Sequence, residues 1–200
     1  MAESIAEVFE LSCGIISSIM TTKVRATIED LYNEPGKAEI VNGEIVRYMP
    51  TGATPGRVAS EIYLSLRTHE RRQKSGLAIP DNVGFIVNLS NRDSFSPDAA
   101  WYIGKIEGLR FLQGAPIFAV EVRSQNDYGP NAERDMAHKR ADYFAAGTLV
   151  VWDVDLLSDE VIKCYHRDNP DDPIVFCRGD IANAEPAVPG WTMPVDDLFV

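Results

Sequence analysis

The stretch IFAVEVRSQNDYGPNAERDMAHKRADYFAAGTLVVWDV, residues 117–154, decides the fold. It opens on the strand-like run IFAVEV (117–122) and closes on TLVVWDV (148–154), an apolar run of the kind a fully buried strand shows. Between them Asn131–Ala146 reads as a helix, with Asn131 as N-cap, Glu133 and Asp135 in the first turn and Gly147 closing the end. Strand, helix, strand in so short a span predicts a right-handed crossover between two parallel strands.

Upstream, AEIVNGEIVRYM (38–49) places two apolar-rich runs around Asn42-Gly43, the preferred type I′ hairpin turn. That turn pairs Val41 with Glu44 and Ile40 with Ile45, and puts Glu39, Val41, Glu44 and Val46 on one face. Thr27 with Asp30 predicts a short capped helix through Tyr32, stopped by Pro35-Gly36. After the loop PTGATPG, residues 57–74 carry Val58, Ile62, Leu66 and His69 at helical spacing. Strand-like runs follow at VGFIVNL (83–89) and DAAWYI (98–103). EVIKCYH (160–166) and IVFC (174–177) read as a peripheral hairpin around NPDDP, and the tail closes on the core through Trp191, Leu198 and Phe199. The whole predicts an α/β or α+β sandwich built on a mixed sheet.

A chain of 200 residues with 45% hydrophobic content suits one globular domain, expected over residues 21–200. Residues 1–20 lack period and punctuation and are expected to be a poorly ordered leader or to precede the true start; a docking helix is the alternative. The net charge of -11 excludes wholesale electrostatic binding of polyanions, so any nucleic-acid contact needs a local basic patch or a metal ion. Three cysteines with no CxxC argue against a disulfide framework or a cysteine zinc site. No stretch is long and apolar enough to span a bilayer and the start Met-Ala-Glu-Ser is not a secretory signal, so the cytoplasm is the expected compartment.

Three charged residues sit in awkward places. Asp98 follows Ser96-Pro97 at the start of a strand, and Glu121 ends the apolar run 117–120. A carboxylate there is costly unless a cation, a metal or a hydrogen-bond network compensates it. Lys139 lies on the stripe Ala132, Met136, Lys139, Tyr143, Ala146, the apolar one of its helix, and so points toward the sheet or its rim. Two carboxylates with the backbone carbonyl of Val122 could hold Mg²⁺ or Mn²⁺, and a nearby ammonium completes the inventory for hydrolysing a phosphodiester. Arg123, two residues past Glu121, faces the same side. Simpler readings exist for each: Glu121 with Arg123 as a structural ion pair, Lys139 snorkelling to solvent, Glu39 and Glu44 as surface acids of the hairpin, and Tyr143 as plain core.

EIVNGEIVRYMPTG (39–52), PDAAWYI (97–103), FAVEVRSQND (118–127), KRADYFAAGTLVVWDVD (139–155) and PGWTMPVDDLF (189–199) together resemble the Uma2 family, within the PD-(D/E)xK nuclease superfamily. The resemblance implies a restriction-endonuclease-like mixed sheet flanked by helices, and a metal-dependent endonuclease with Asp98 and Glu121 as metal ligands. It also implies that the family's lysine stands on the helix as Lys139, with Arg123 at the third position of the E-x-K motif and Glu44 and Glu39 as supporting acids. The chain departs from the family where Pro55-Gly56-Arg57 stands in place of a frequent His and Ser124-Gln125-Asn126 in place of Ser-Pro-Ser. Arg123 replaces the usual Lys, and a guanidinium clamps phosphate without serving as a base.

For a DNA partner, the stripe Arg67, Arg71, Arg72 and Lys74 and the side Arg134, Lys139 and Arg140 are the sizeable positive patches. A homodimer would suit cleavage of both strands. A nuclease fold that no longer cuts and serves as a binding module is the alternative function. A glycosidase-type carboxylate pair fits less well, because the adjacent cations suit an anionic substrate.

Overall fold

The computed structural model describes residues 24–199, and the expectation for residues 1–20 lies outside them. Helix α1 (Ile28–Tyr32) starts on the expected capping box, in which Thr27 and Asp30 bond each other's backbone N–H. Strands β1 (Ala38–Val41) and β2 (Glu44–Arg47) pair in the register that Asn42-Gly43 dictates, Val41 opposite Glu44 and Ile40 opposite Ile45. Both turn residues have positive φ, 53° and 75°, as a type I′ turn requires. Helix α2 (Ala53–Gln73) begins four residues earlier than its apolar period suggests and ends on Lys74 in the left-handed region.

The central sheet has six strands: β3 (Leu77–Pro80), β6 (Ala99–Tyr102), β8 (Phe118–Val122), β9 (Val150–Val154), β10 (Ile162–His166) and β11 (Asn169–Phe176). Their spatial order is β11-β10-β9-β8-β6-β3. Only β8 and β9 are parallel, and helix α3 (Pro130–Ala145) connects them as the 117–154 stretch demands. A smaller sheet, β5-β4-β7, is made of the two-residue strands β4 (Phe85–Ile86), β5 (Ser94–Phe95) and β7 (Leu112–Gln113). Strands β12 (Ile181–Asn183) and β13 (Thr192–Pro194) and a 3₁₀ turn at Val195–Leu198 finish the chain.

Each face of the sheet carries its own core. On one face α2 buries Val58, Ile62 and Leu66 against Trp101, Phe118 and Trp152, with Trp191, Met193 and Leu198 from the tail. On the other, Tyr143 of α3 packs with Ala100, Ala119 and Val151 and stacks on Phe95 of the small sheet at 4.0 Å. The first hairpin docks here too: Ser94 Oγ accepts the Ile40 N–H at 2.8 Å, and Asp93 N–H donates to the Ile40 carbonyl at 3.0 Å.

Three further expectations change. Helix α3 takes Gly129, not Asn131, as its N-cap, with Pro130 at the first helical position, where a missing N–H costs nothing. NPDDP is not the turn of the last hairpin. The turn is Arg167-Asp168, and NPDDP lies in β11. β11 is an edge strand, where Pro170 and Pro173 can point their missing N–H away from the ladder, and a bulge between Cys164 and His166 takes up the extra residues. The run 83–89 is a strand only at Phe85–Ile86, because Val87 and Leu89 N–H bond back to Asp93 and Arg92 in a tight loop.

Among the described residues no helix is long and apolar enough to cross a membrane. Cys164 is buried in the ladder, which pushes its thiol up to about 12, whereas Cys177 is exposed. Alkylation needs an accessible thiolate. Iodoacetamide is therefore expected to label Cys177 in the native protein and to leave Cys164 unmodified until denaturant is added, as peptide mass mapping would show. Equal labelling of both under native conditions contradicts the buried placement.

Candidate active site

β6 and β9 are buried at every residue, and Glu121 is the one residue of β8 that is not. Alternation puts Glu121 on the Ala119 face, and Asp98, just before β6, on the Ala100 face, so both carboxylates stand on the α3 side of the sheet. Asp98 is anchored twice: its N–H donates to the Val120 carbonyl at 3.0 Å, and its Oδ2 accepts the Val122 N–H at 2.7 Å.

Lys139 reaches down from α3 to the same face. Its Nζ lies 2.8 Å from Glu121 Oε1 and 3.0 Å from Glu39 Oε1, with the Tyr48 ring 5.4 Å away. It does not snorkel; its side chain is 11% exposed. Tyr143 is core, but its hydroxyl donates to Glu121 Oε1 at 2.7 Å. Glu39 is fully buried and accepts from four directions: Lys139, Arg92 at 2.5 Å, Tyr48 OH at 3.0 Å and Ser96 N–H at 2.9 Å. Arg92 in turn bonds Asp142 of α3 at 2.8 Å.

The electrostatics follow from this packing. Burial disfavours the Glu39 carboxylate, but Lys139, Arg92 and the Ser96 N–H outweigh it and hold its pKa below the ordinary glutamate value. Burial disfavours the Lys139 ammonium as well, yet the charges of Glu121 and Glu39 raise its pKa well above normal. Lys139 is thus a fixed cation at neutral pH. Glu121 is shifted upward by burial, with the nearby Asp98 charge adding to it against the pull of Lys139.

The structure therefore brings Asp98, Glu121, Lys139 and Glu39 together on one face. It does not bring the other candidates to them. Arg123 bonds Asp153 and Glu133 rather than Glu121. Glu44 is exposed at the turn end of β2. Arg67, paired with Glu70, and the exposed Arg71, Arg72 and Lys74 sit on or at the end of α2, across the sheet from the acids.

Sequence reasoning missed Lys37 and Arg92. Lys37 lies two residues before Glu39, so strand alternation pointed to it; its Nζ is 2.5 Å from Asp98 and 2.7 Å from Asp81. Arg92 belongs to the tight loop before β5, and no local pattern marks it.

Among the described residues no three His, Cys, Asp or Glu side chains gather as a metal cage. The donor chemistry still fits a hard divalent ion. Asp98 and Glu121 offer oxygen ligands only, close enough for one charge to act on the other. Mg²⁺ is commonly held by one or two carboxylates, with water and substrate phosphate completing its shell.

The sequence matches the family Uma2, described as "Putative restriction endonuclease", over residues 25–196. Among solved structures, the fold is similar to that of a putative nuclease belonging to DUF820 from Anabaena variabilis. That likeness has a TM-score of 0.67 at 18% identity, over 87% of this chain and 97% of that one. No curated protein gives a significant match. The family match spans the hairpin acid, both strand acids and the helix lysine, and this chain belongs to the Uma2 family.

Proposed function

We propose that this chain is a metal-dependent endonuclease that hydrolyses DNA phosphodiester bonds. The observation that carries the reading is the meeting of Asp98, Glu121 and Lys139 on one face, from a strand start, a strand interior and a crossover helix. The family's description and that of the Anabaena neighbour support it.

Asp98 and Glu121, with the Val122 carbonyl, would hold Mg²⁺ or Mn²⁺. Such an ion, when bound, lowers the pKa of its water and offsets charge growing on the phosphate. The Lys139 ammonium, held at the site by Glu39, donates hydrogen bonds to the attacking water or a phosphate oxygen. Glu39 and Tyr143 are positioning residues: Glu39 holds the Lys139 ammonium, and the Tyr143 hydroxyl holds one oxygen of Glu121. In the reaction, water oxygen adds to phosphorus and gives up a proton to solvent, the ester P–O bond breaks, and the departing oxygen takes up a proton from solvent. The α2 stripe faces away and serves DNA only as a remote contact. Two copies of the chain, one per strand, suit double-strand cleavage.

A second reading, a binding module that does not cut, is favoured by one observation. Lys139, Lys37 and Arg92 are each already neutralised by carboxylates of this chain.

Plasmid DNA separates the two. With Mg²⁺ or Mn²⁺ the wild type is expected to nick supercoiled plasmid. Asp98→Asn and Glu121→Gln should each lower the rate by roughly a hundredfold or more, since each removes an ion ligand. Cleavage that survives both changes, or that persists in chelator, refutes the site; no metal heat in calorimetry favours the binding module.

A further inference from the structure

Lys37 stands directly before β1, and its ammonium lies between two carboxylates. Asp98 Oδ1 is 2.5 Å away and Asp81 Oδ1 is 2.7 Å away. The second oxygen of Asp98 is committed to the Val122 N–H. Both Asp98 oxygens are thus engaged, one of them by a full positive charge. A divalent ion on Asp98 would meet that charge at contact distance, where like charges repel strongly in a partly desolvated site.

The two lysines of the site differ in what else they can do. Lys139 is held between Glu39 and Glu121, both inside the protein. Lys37 has an exit: the Asp81 side chain is 37% exposed, against 13% for Asp98, and it lies on the solvent side of the pair. A lysine has a flexible four-carbon stem and a point charge with no fixed fork, so it can leave one carboxylate and keep the other.

We propose that Lys37 is a placeholder cation, which neutralises Asp98 until a divalent ion arrives and then withdraws onto Asp81. Metal affinity is then set by a competition between the ion and an ammonium of the same chain. The inference rests on the metal reading of Asp98 and Glu121.

Mn²⁺ calorimetry on the full chain tests it, with folding of every variant checked by circular dichroism. Lys37→Met is expected to bind Mn²⁺ about tenfold tighter than wild type, because a like charge has left the site. Asp81→Asn is expected to bind several-fold more weakly, because the ammonium has lost its alternative partner. Asp98→Asn should show no heat. Heat in wild type with no tightening in folded Lys37→Met overturns the placeholder and leaves the metal site standing. No heat in any variant overturns both. Should Lys37→Met fail to fold, Asp81→Asn decides, and unchanged or tighter binding there rejects the proposal.

Discussion

Replacing Glu39 with leucine is expected to destabilise the protein by about 3–5 kcal/mol, the usual loss when one partner of a buried ion network is removed. Glu39 is fully buried and is the acceptor on which Arg92, Lys139, Tyr48 and Ser96 converge. Leucine would leave Arg92 with Asp142 alone and Lys139 with Glu121 alone, and would strip the Tyr48 hydroxyl and Ser96 N–H of their acceptor. Glu39→Gln keeps an acceptor and loses the charge, so it should cost less, about 1–3 kcal/mol. Urea denaturation at neutral pH measures both. A Glu39→Leu variant within about 1 kcal/mol of wild type would mean that the cations are satisfied elsewhere.

The pH dependence has a definite sign. The folded pKa of Glu39 lies below its unfolded value of about 4.3. Its contribution is therefore fully present above that value and is lost as pH falls through the folded pKa. The gap between wild type and Glu39→Leu should narrow on acidification, not widen.

How much of this network is legible in the sequence depends on the range over which each contact acts. Asn42-Gly43 sets β1 against β2 by backbone geometry within four residues, so the register of Glu39 can be read directly. Lys139 is legible because it interrupts an apolar stripe, and a charge on a buried helix face needs a partner. Glu121 is legible for the same reason in a strand. Arg92 is not, because what brings it to Glu39 is the pairing of two-residue strands around a tight loop, too short to show a period. Pro170 and Pro173 suggest a turn until the strand is known to be an edge, which is a fact of topology. Tyr143 shows the limit of composition: its ring is core and its hydroxyl is part of the site, and one residue type reports both.

Arg123 carries the second large expected effect, and it concerns the fold more than phosphate binding. Its Nε and one terminal nitrogen each lie 2.7 Å from an oxygen of Asp153, a bidentate fork, and Glu133 of α3 takes the remaining reach. Asp153 is buried in β9 and sits directly beside Glu121 in the parallel ladder. Arg123→Met should therefore lose about 3–5 kcal/mol, most of it from leaving Asp153 as an uncompensated buried carboxylate. The double variant Arg123→Met with Asp153→Leu should recover most of that loss, because removing both charges also removes the desolvation penalty. A single variant as stable as wild type, or a double variant no better than the single, would show that the guanidinium is not what holds Asp153 inside. The same pairing protects the site. With Arg123 in place, Asp153 is neutralised next to a glutamate already shifted upward by burial and by Asp98. Without it a third negative charge stands beside Glu121, so Arg123 acts on Glu121 through its neighbour on β9.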